Sequence, residues 1–285
     1  QPQSANLALL KSFICADGQV YQSSTLPDAA SLDLASMIAT RDPRFEATFW
    51  DTPKKEASTL VYSDKFIDRV GPTYAGGTYP PQYGSNTNTN DAPVMRLGEV
   101  VLNWIEAKAE LATLGGPAVI QDDIDVSINK IRERPIAPEA KKLGVTRTAD
   151  MDLADLPDDP RRDPSVSKLL WEIRRERRME FAFEFSRIID LRRWGKLEYM
   201  DTEKNKDLLA GTWVNFAEEV SDELKDENKG KIRVMDKQCN FIVFDGKNKD
   251  KMKGFFYPAE NLGRLKFLNV PNVNPYLSPI GTNQI

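Results

Sequence analysis

Two stretches of this chain carry a helical alternation of apolar and polar positions. In Val94–Leu114, Leu97, Val101, Trp104, Ile105, Leu111 and Ala112 share one broad face, and Arg96, Glu99, Asn103, Glu106 and Glu110 share the opposite one. Pro93 opens this helix and Gly115-Gly116-Pro117 closes it. Lys108 falls on the apolar side, where it is expected to snorkel or to meet an acid of a neighbouring helix. The second stretch, Ser165–Leu197, has no glycine or proline until Gly195 apart from the Pro164-Ser165 start signal, and is expected to form one long helix. On it Glu176, Glu180 and Glu184 form a single row, joined by Arg187 and Asp190. Leu169, Ile173, Phe183, Leu191 and Trp194 lie on that face, and Leu170, Phe181, Phe185, Ile188 and Ile189 form a second apolar arc. A helix that is apolar on two sides is packed by several neighbours, so its carboxylates need cationic partners. Arg177, Arg187 and Arg192 are within helical reach of them.

Elsewhere the pattern is shorter. Asp122 and Asp123 open a helix that aligns Ile124, Ile128 and Ile131 and ends at Pro135, and a Pro/Asp-rich linker follows to Pro164. Leu32–Ala39 reads as a short helix, and Phe13–Cys15, Phe45–Trp50, Thr59–Tyr62, Ile232–Met235 and Phe241–Phe244 read as extended. Residues 71–90, GPTYAGGTYPPQYGSNTNTN, forbid a regular element.

Composition narrows the chemistry. The 285 residues include no histidine, which removes histidine-dependent triads, Cys-His nucleophiles and histidine metal sites. A net charge of −4 does not favour nucleic acid, and the arginines at 174, 175, 177 and 178 are interleaved with glutamates. Cys15 and Cys239 fit no metal or redox spacing, and a bridge between them stays open. No cofactor or metal is expected; Asp245–Asp250 hints at a calcium loop but lacks the EF-hand positions. No apolar run is long enough to span a membrane. The start lacks a basic region and an apolar run, so a signal has been removed or the chain begins inside a larger protein.

Binding chemistry concentrates in the irregular loop. Sugar rings present apolar C–H faces that stack on aromatic rings, while amides and hydroxyls take the sugar hydroxyls. Tyr74, Tyr79 and Tyr83, with Asn86 among the neighbouring amides, offer both. Trp50, beside Asp51 and Lys54, is a second candidate, and Trp213 a weaker third. The row Glu176, Glu180, Glu184 does not make a hydrolase site, because such a site sets two carboxylates across a cleft.

Four motifs resemble the SusD/RagB family. Residues 96–107, RLGEVVLNWIEA, are similar to its RLAEVYLNYAEA helix, and Asn129 to Arg134 to its N-x-I-R-x-R helix. Residues 176–184, ERRMEFAFE, followed by Arg187 and by Asp190 to Gly195, resemble ERRRELAFEGxRWFDLRRWG. Tyr276 to Ile280, with the terminal Asn283-Gln284-Ile285, resembles YLxPIPxxEI. Phe185 stands where the family usually has glycine, Ile188 and Ile189 replace Trp-Phe, and Gly281 and Gln284 depart from the tail.

The resemblance implies a mostly α, SusD-like helical fold: tetratricopeptide-like helices packed against a loop-rich C-terminal part with a few short strands. It places residues 1–285 in the C-terminal portion of such a protein, with the family's N-terminal helical-repeat half absent. It further implies a non-catalytic, outer-membrane surface lipoprotein, anchored by an N-terminal lipid that this chain does not show. Such a protein binds a nutrient oligosaccharide, less often a peptide, and delivers it to a SusC-like TonB-dependent transporter. Two readings from other classes stand beside it: a carbohydrate hydrolase using paired carboxylates, and a helical-repeat adaptor that binds only protein.

Overall fold

A computed structural model describes residues 4–66, 68–74, 76–84, 87, 89, 91, 93–258, 274 and 276. The fold is mostly helical with one small sheet, as expected for a SusD-like chain. Helix α1 (Leu7–Leu10) is capped by Asn6 and α2 (Leu34–Thr40) by Asp33, each side chain accepting a backbone N–H of the first turn. Helix α3 spans Leu97–Thr113. Helix α4 (Gln121–Ile124) runs through a π-helical turn, Asp125–Asn129, into α5 (Lys130–Arg132). Then come α6 (Pro138–Lys142), α7 (Lys168–Glu180), α8 (Arg187–Arg193) and α9 (Phe216–Glu219). The antiparallel sheet has the order β1 (Trp213–Asn215), β4 (Lys253–Phe256), β2 (Arg233–Met235), β3 (Phe241–Val243). Gly254 lets its strands close: a Cβ there would stand 2.7 Å from the Met235 carbonyl oxygen.

Three apolar clusters hold these elements. Leu102, Ile105 and Ala109 of α3 pack with Ile124, Ile128 and Ile131 and with Leu170 and Ile173 of α7. Phe13, Phe45 and Phe49 form the aromatic heart of the N-terminal cluster, which also takes in Met179 and Ala182. Val214, Phe216, Val234 and Phe244 fill the third, under the sheet. Phe45–Trp50 is not extended as expected. It forms helical turns, with Ala47 N donating to Pro43 O and Phe49 N to Phe45 O, which bring Phe45 and Phe49 onto one side against Phe13. Only its end, Phe49 opposite Ser63, pairs as a strand.

The expected single helix over Ser165–Leu197 is two helices. It starts two residues later, on Ser167, whose hydroxyl accepts from Leu170 N at 3.3 Å. It breaks after Glu180, where Phe183 and Phe185 take φ of 62° and 63°. The break has a donor behind it. Lys65 Nζ donates to the carbonyls of Glu180 at 2.7 Å and Ala182 at 2.9 Å, acceptors that a continuing helix would use itself. The turn sends the Phe183 ring onto Phe49, at 6.1 Å between centroids.

Helix α3 also differs from expectation. Its faces are mixed: Ile105 of the expected apolar face is buried in the core with Leu102 and Ala109, Glu106 of the polar face is buried as well, and Asn103 and Glu110 meet arginines of α7. Leu97, Val100, Trp104 and Leu111, at spacings of three, four and seven, form an exposed apolar stripe on the other side. Lys108 does meet an acid of the next helix, Asp123 at 2.5 Å.

The left-handed backbone at Phe185 explains why glycine is usual there: a side chain in that region costs about 1–2 kcal/mol. The Phe185 ring is 80% exposed and adds little burial. Phe185→Gly therefore raises stability by about 0.5–1 kcal/mol after the added freedom of the unfolded chain is subtracted. Urea unfolding reads this directly, and a loss of stability would show that the ring is needed for packing.

Candidate functional site

Glu176 and Glu180 are fully buried, yet none of the three acids of the row pairs with Arg177, Arg187 or Arg192. Their partners come from four other segments. Arg132 reaches Glu176 through Nε at 2.9 Å and through Nη2, and Arg44 Nη2 reaches it at 2.6 Å. Glu180 receives Arg96 at 2.7 Å, Arg134 at 2.8 Å and Arg44 at 3.4 Å. Glu184, in the turn after α7, receives Arg96 Nη2 at 2.6 Å and Lys65 at 2.5 Å. Arg44 is itself held by Asp42 at 2.7 Å. Gly98 makes room for this hub, since a Cβ there would lie 3.1 Å from a Glu180 carboxylate oxygen.

Burial alone would raise the Glu180 carboxyl, but Arg44, Arg134 and Arg96 outweigh it and hold the group at about 2. A carboxylate so compensated neither donates a proton at neutral pH nor reaches a substrate. The row joins four other segments of chain to α7 and the turn after it. Asp190 is part of a separate set. Arg177 Nε binds it at 2.8 Å and Arg193 Nε at 3.0 Å, while Arg193 also forks onto Glu106 at 2.6 and 2.7 Å. Arg187 makes no ion pair among the described residues and lies 5.5 Å from the Trp194 ring.

The loop tyrosines come together. Two short 3₁₀ turns, Gly71–Tyr74 and Pro81–Tyr83, carry Tyr74 and Tyr83, and Tyr79 lies on the segment between them. Tyr74 and Tyr83 stack, with centroids 5.5 Å apart and planes 25° apart, and Tyr79 lies 6.5 Å from Tyr74. Tyr74 and Tyr79 remain exposed. Close by in sequence, Phe66 is also exposed, with φ 65°, and Arg96 and Lys65 lie over its ring at 5.6 and 5.3 Å. Sequence reasoning passed over Phe66, because a lone phenylalanine without periodicity gives no signal. Asn86 lies outside the described residues.

Trp50 does not share the tyrosine ring contacts. It is half-buried, with Lys54 Nζ 4.8 Å above its ring, and its backbone pairs with Tyr62. Beside it, Asp64 is held up to about 6, first by burial and then by the neighbouring charges of Glu46 and Asp51. One of its carboxylate oxygens is buried with no partner among the described residues. Trp213 packs edge-on against Phe255 at 5.1 Å. Asp245 accepts from the backbone of Lys247 and Asn248, forming a tight turn. Cys15 is buried and Cys239 exposed, both as free thiols. Among the described residues no His, Cys, Asp or Glu group is arranged to hold a metal, and no helix is long and apolar enough to cross a membrane.

The model of the SusD family matches residues 51–285. The chain belongs to the SusD family, whose members bind glycans in nutrient uptake with SusC-like transporters. Proteins of this family are outer-membrane-associated surface lipoproteins and are generally non-catalytic. No curated protein and no solved structure matches the chain.

The raised carboxyl of Asp64 makes stability depend on pH with a definite sign. The folded protein holds this proton more tightly than the unfolded chain does. Its contribution is full below about pH 4 and is lost as pH rises through 6. Asp64→Asn, which keeps the neutral form, should match the wild type at pH 4 and exceed it by about 1–2 kcal/mol at pH 7. Urea melts at the two pH values check this, and equal stabilities at pH 7 would show that Asp64 is well solvated when ionised.

Proposed function

We propose that this protein captures an oligosaccharide at the cell surface without catalysis and passes it to a SusC-like TonB-dependent transporter. In this reading the full-length protein is lipid-anchored, and Tyr74, Tyr79 and Tyr83 form the sugar-stacking surface. The observation that carries the reading is the gathering of these tyrosines, 17 residues or fewer from Phe66 in sequence, with Tyr74 and Tyr79 left exposed where water is a poor partner for a ring. Ring faces attract the C–H faces of sugars, and phenol hydroxyls exchange hydrogen bonds with sugar hydroxyls. Family membership supports the same ligand class and the same transport partner. Trp50 is a second, separate contact, with one face of its ring already covered by Lys54.

The carboxylates support a binding role. The most conspicuous acids are neutralised inside the helix pair, so a hydrolase would have to use others. Incubation with the bound glycan should release no new reducing ends.

Tyr79 touches the cluster through one tilted ring contact, so its removal leaves the fold intact. Tyr79→Ala should weaken binding of the captured oligosaccharide by about 1 kcal/mol, roughly fivefold. Calorimetry against a glycan panel measures this, with thermal unfolding as the control for folding. Unchanged affinity for every glycan that binds would remove the tyrosine loop from the site.

A further inference from the structure

Most arginines of the two helices are matched. Arg174 meets Glu110, Arg175 meets Glu172 and Asp159, Arg177 meets Asp190, and Arg193 meets Glu106 and Asp190. Arg192 donates to the Tyr276 carbonyl at 2.7 Å. Two differ. Arg178 and Arg187 have no carboxylate at ion-pair distance among the described residues, and both line one cleft of about 450 Å³ between the N-terminal segment and the turn joining α7 to α8. Asp190 also lines it, but each of its oxygens is engaged, one by Arg177 and the other by Arg193. The wall is completed by aromatic side chains of the turn, including the exposed Phe185, and by Ser186.

The electrostatics of this cleft are one-sided. Burial lowers the Arg178 guanidinium well below its ordinary value, and Arg187, Arg161 and Arg175 act in the same direction. Burial brings Arg187 down to about 10 in spite of Asp190. Both guanidiniums are half-buried with no carboxylate at ion-pair distance among the described residues, an arrangement that is costly in a packed protein. Guanidinium forks match the oxygens of carboxylates and sulfates in geometry as well as charge. The volume suits one or two sugar units, and a ring at the rim suits their C–H faces.

We propose that this cleft binds the anionic group of an acidic sugar, a carboxylate or a sulfate ester, with Arg178 and Arg187 as its counter-charges and Phe185 as the flanking ring. The proposal deepens the glycan-capture reading and rests on it: the captured oligosaccharide carries uronate or sulfated units. A neutral segment of the same chain is left for the tyrosine loop.

The test is calorimetry on the whole chain with three probes: trigalacturonate, its fully methyl-esterified form, and a sulfated galactan oligosaccharide. Arg178→Gln and Arg187→Gln are the variants. Each removes an unpaired cation, so neither should lower the unfolding temperature. At least one acidic probe should bind ten times more tightly than the methyl ester, with an affinity that falls as NaCl is raised. Each variant should lose about tenfold for that probe and keep the wild-type affinity for the ester. Preference for trigalacturonate identifies a carboxylate, and preference for the galactan a sulfate. Acidic and esterified probes bound alike, or variants that keep the affinity for the acidic probe, would overturn the proposal. Tyr79-dependent binding of neutral glycans alone would overturn it while leaving glycan capture standing. No binding of any probe, or of the wider glycan panel, would overturn both.

Discussion

Carboxylates buried at one-turn intervals along a helix repel one another and lose their water, and they stay ionised only where cations are brought to them. In this chain Glu176 and Glu180 of α7, with Glu184 in the turn after it, set that demand. Arg44 comes from the N-terminal turns, Lys65 from the segment before the aromatic loop, Arg96 from the start of α3, and Arg132 and Arg134 from the end of α5 and just beyond it. Segments far apart in sequence therefore meet at one helix. The same demand shapes the backbone. Lys65 takes the carbonyls that would have continued α7, and the resulting turn presents Glu184 to Arg96 while swinging Phe183 into the N-terminal core. Gly98 allows α3 to begin against this hub.

This arrangement separates holding the fold from meeting a ligand. The ion pairs of the helix pair tie the α3–α7 cluster to the N-terminal cluster. In the proposed reading, recognition falls to the margins: exposed tyrosines on a glycine- and proline-rich loop, and two arginines left out of the pairing on the far side of the turn. The loop suits binding because its 3₁₀ turns fix the rings without burying them. The arginine cleft suits it because its charge is unspent within the protein.

Much of this was legible in the sequence, and the failures are informative. Helical periodicity located α3, and the helix former-rich stretch located α7 and α8. The acid row was read as needing cationic partners, and each of its carboxylates has them. Periodicity also implied that the break after Glu180 was absent, because a lysine more than a hundred residues away causes it. Helical spacing offered Arg177, Arg187 and Arg192 as partners, whereas the actual cations are distant in sequence. For α3 the pattern was read only in part: Ile105 and Val101 of the apolar face do pack on the core, but Leu97, Trp104 and Leu111 are exposed, and Glu106 and Glu110 of the polar face meet arginines of the neighbouring helices. The glycine expected at position 185 was the one local sign of the turn, and the φ of 63° there shows the backbone kept what the side chain had changed. The three tyrosines could be named from composition, but their stacking depends on two turns that no periodicity encodes.

The central claim is that the glutamate row is a structural counter-charge, with ligand recognition elsewhere. Urea unfolding of Glu180→Ala tests it most directly. Removing that carboxylate leaves Arg44, Arg96 and Arg134 facing each other around an empty position, which should cost about 3–5 kcal/mol, while glycan affinity of the folded fraction is unchanged. A variant as stable as the wild type that has lost glycan binding would contradict the account.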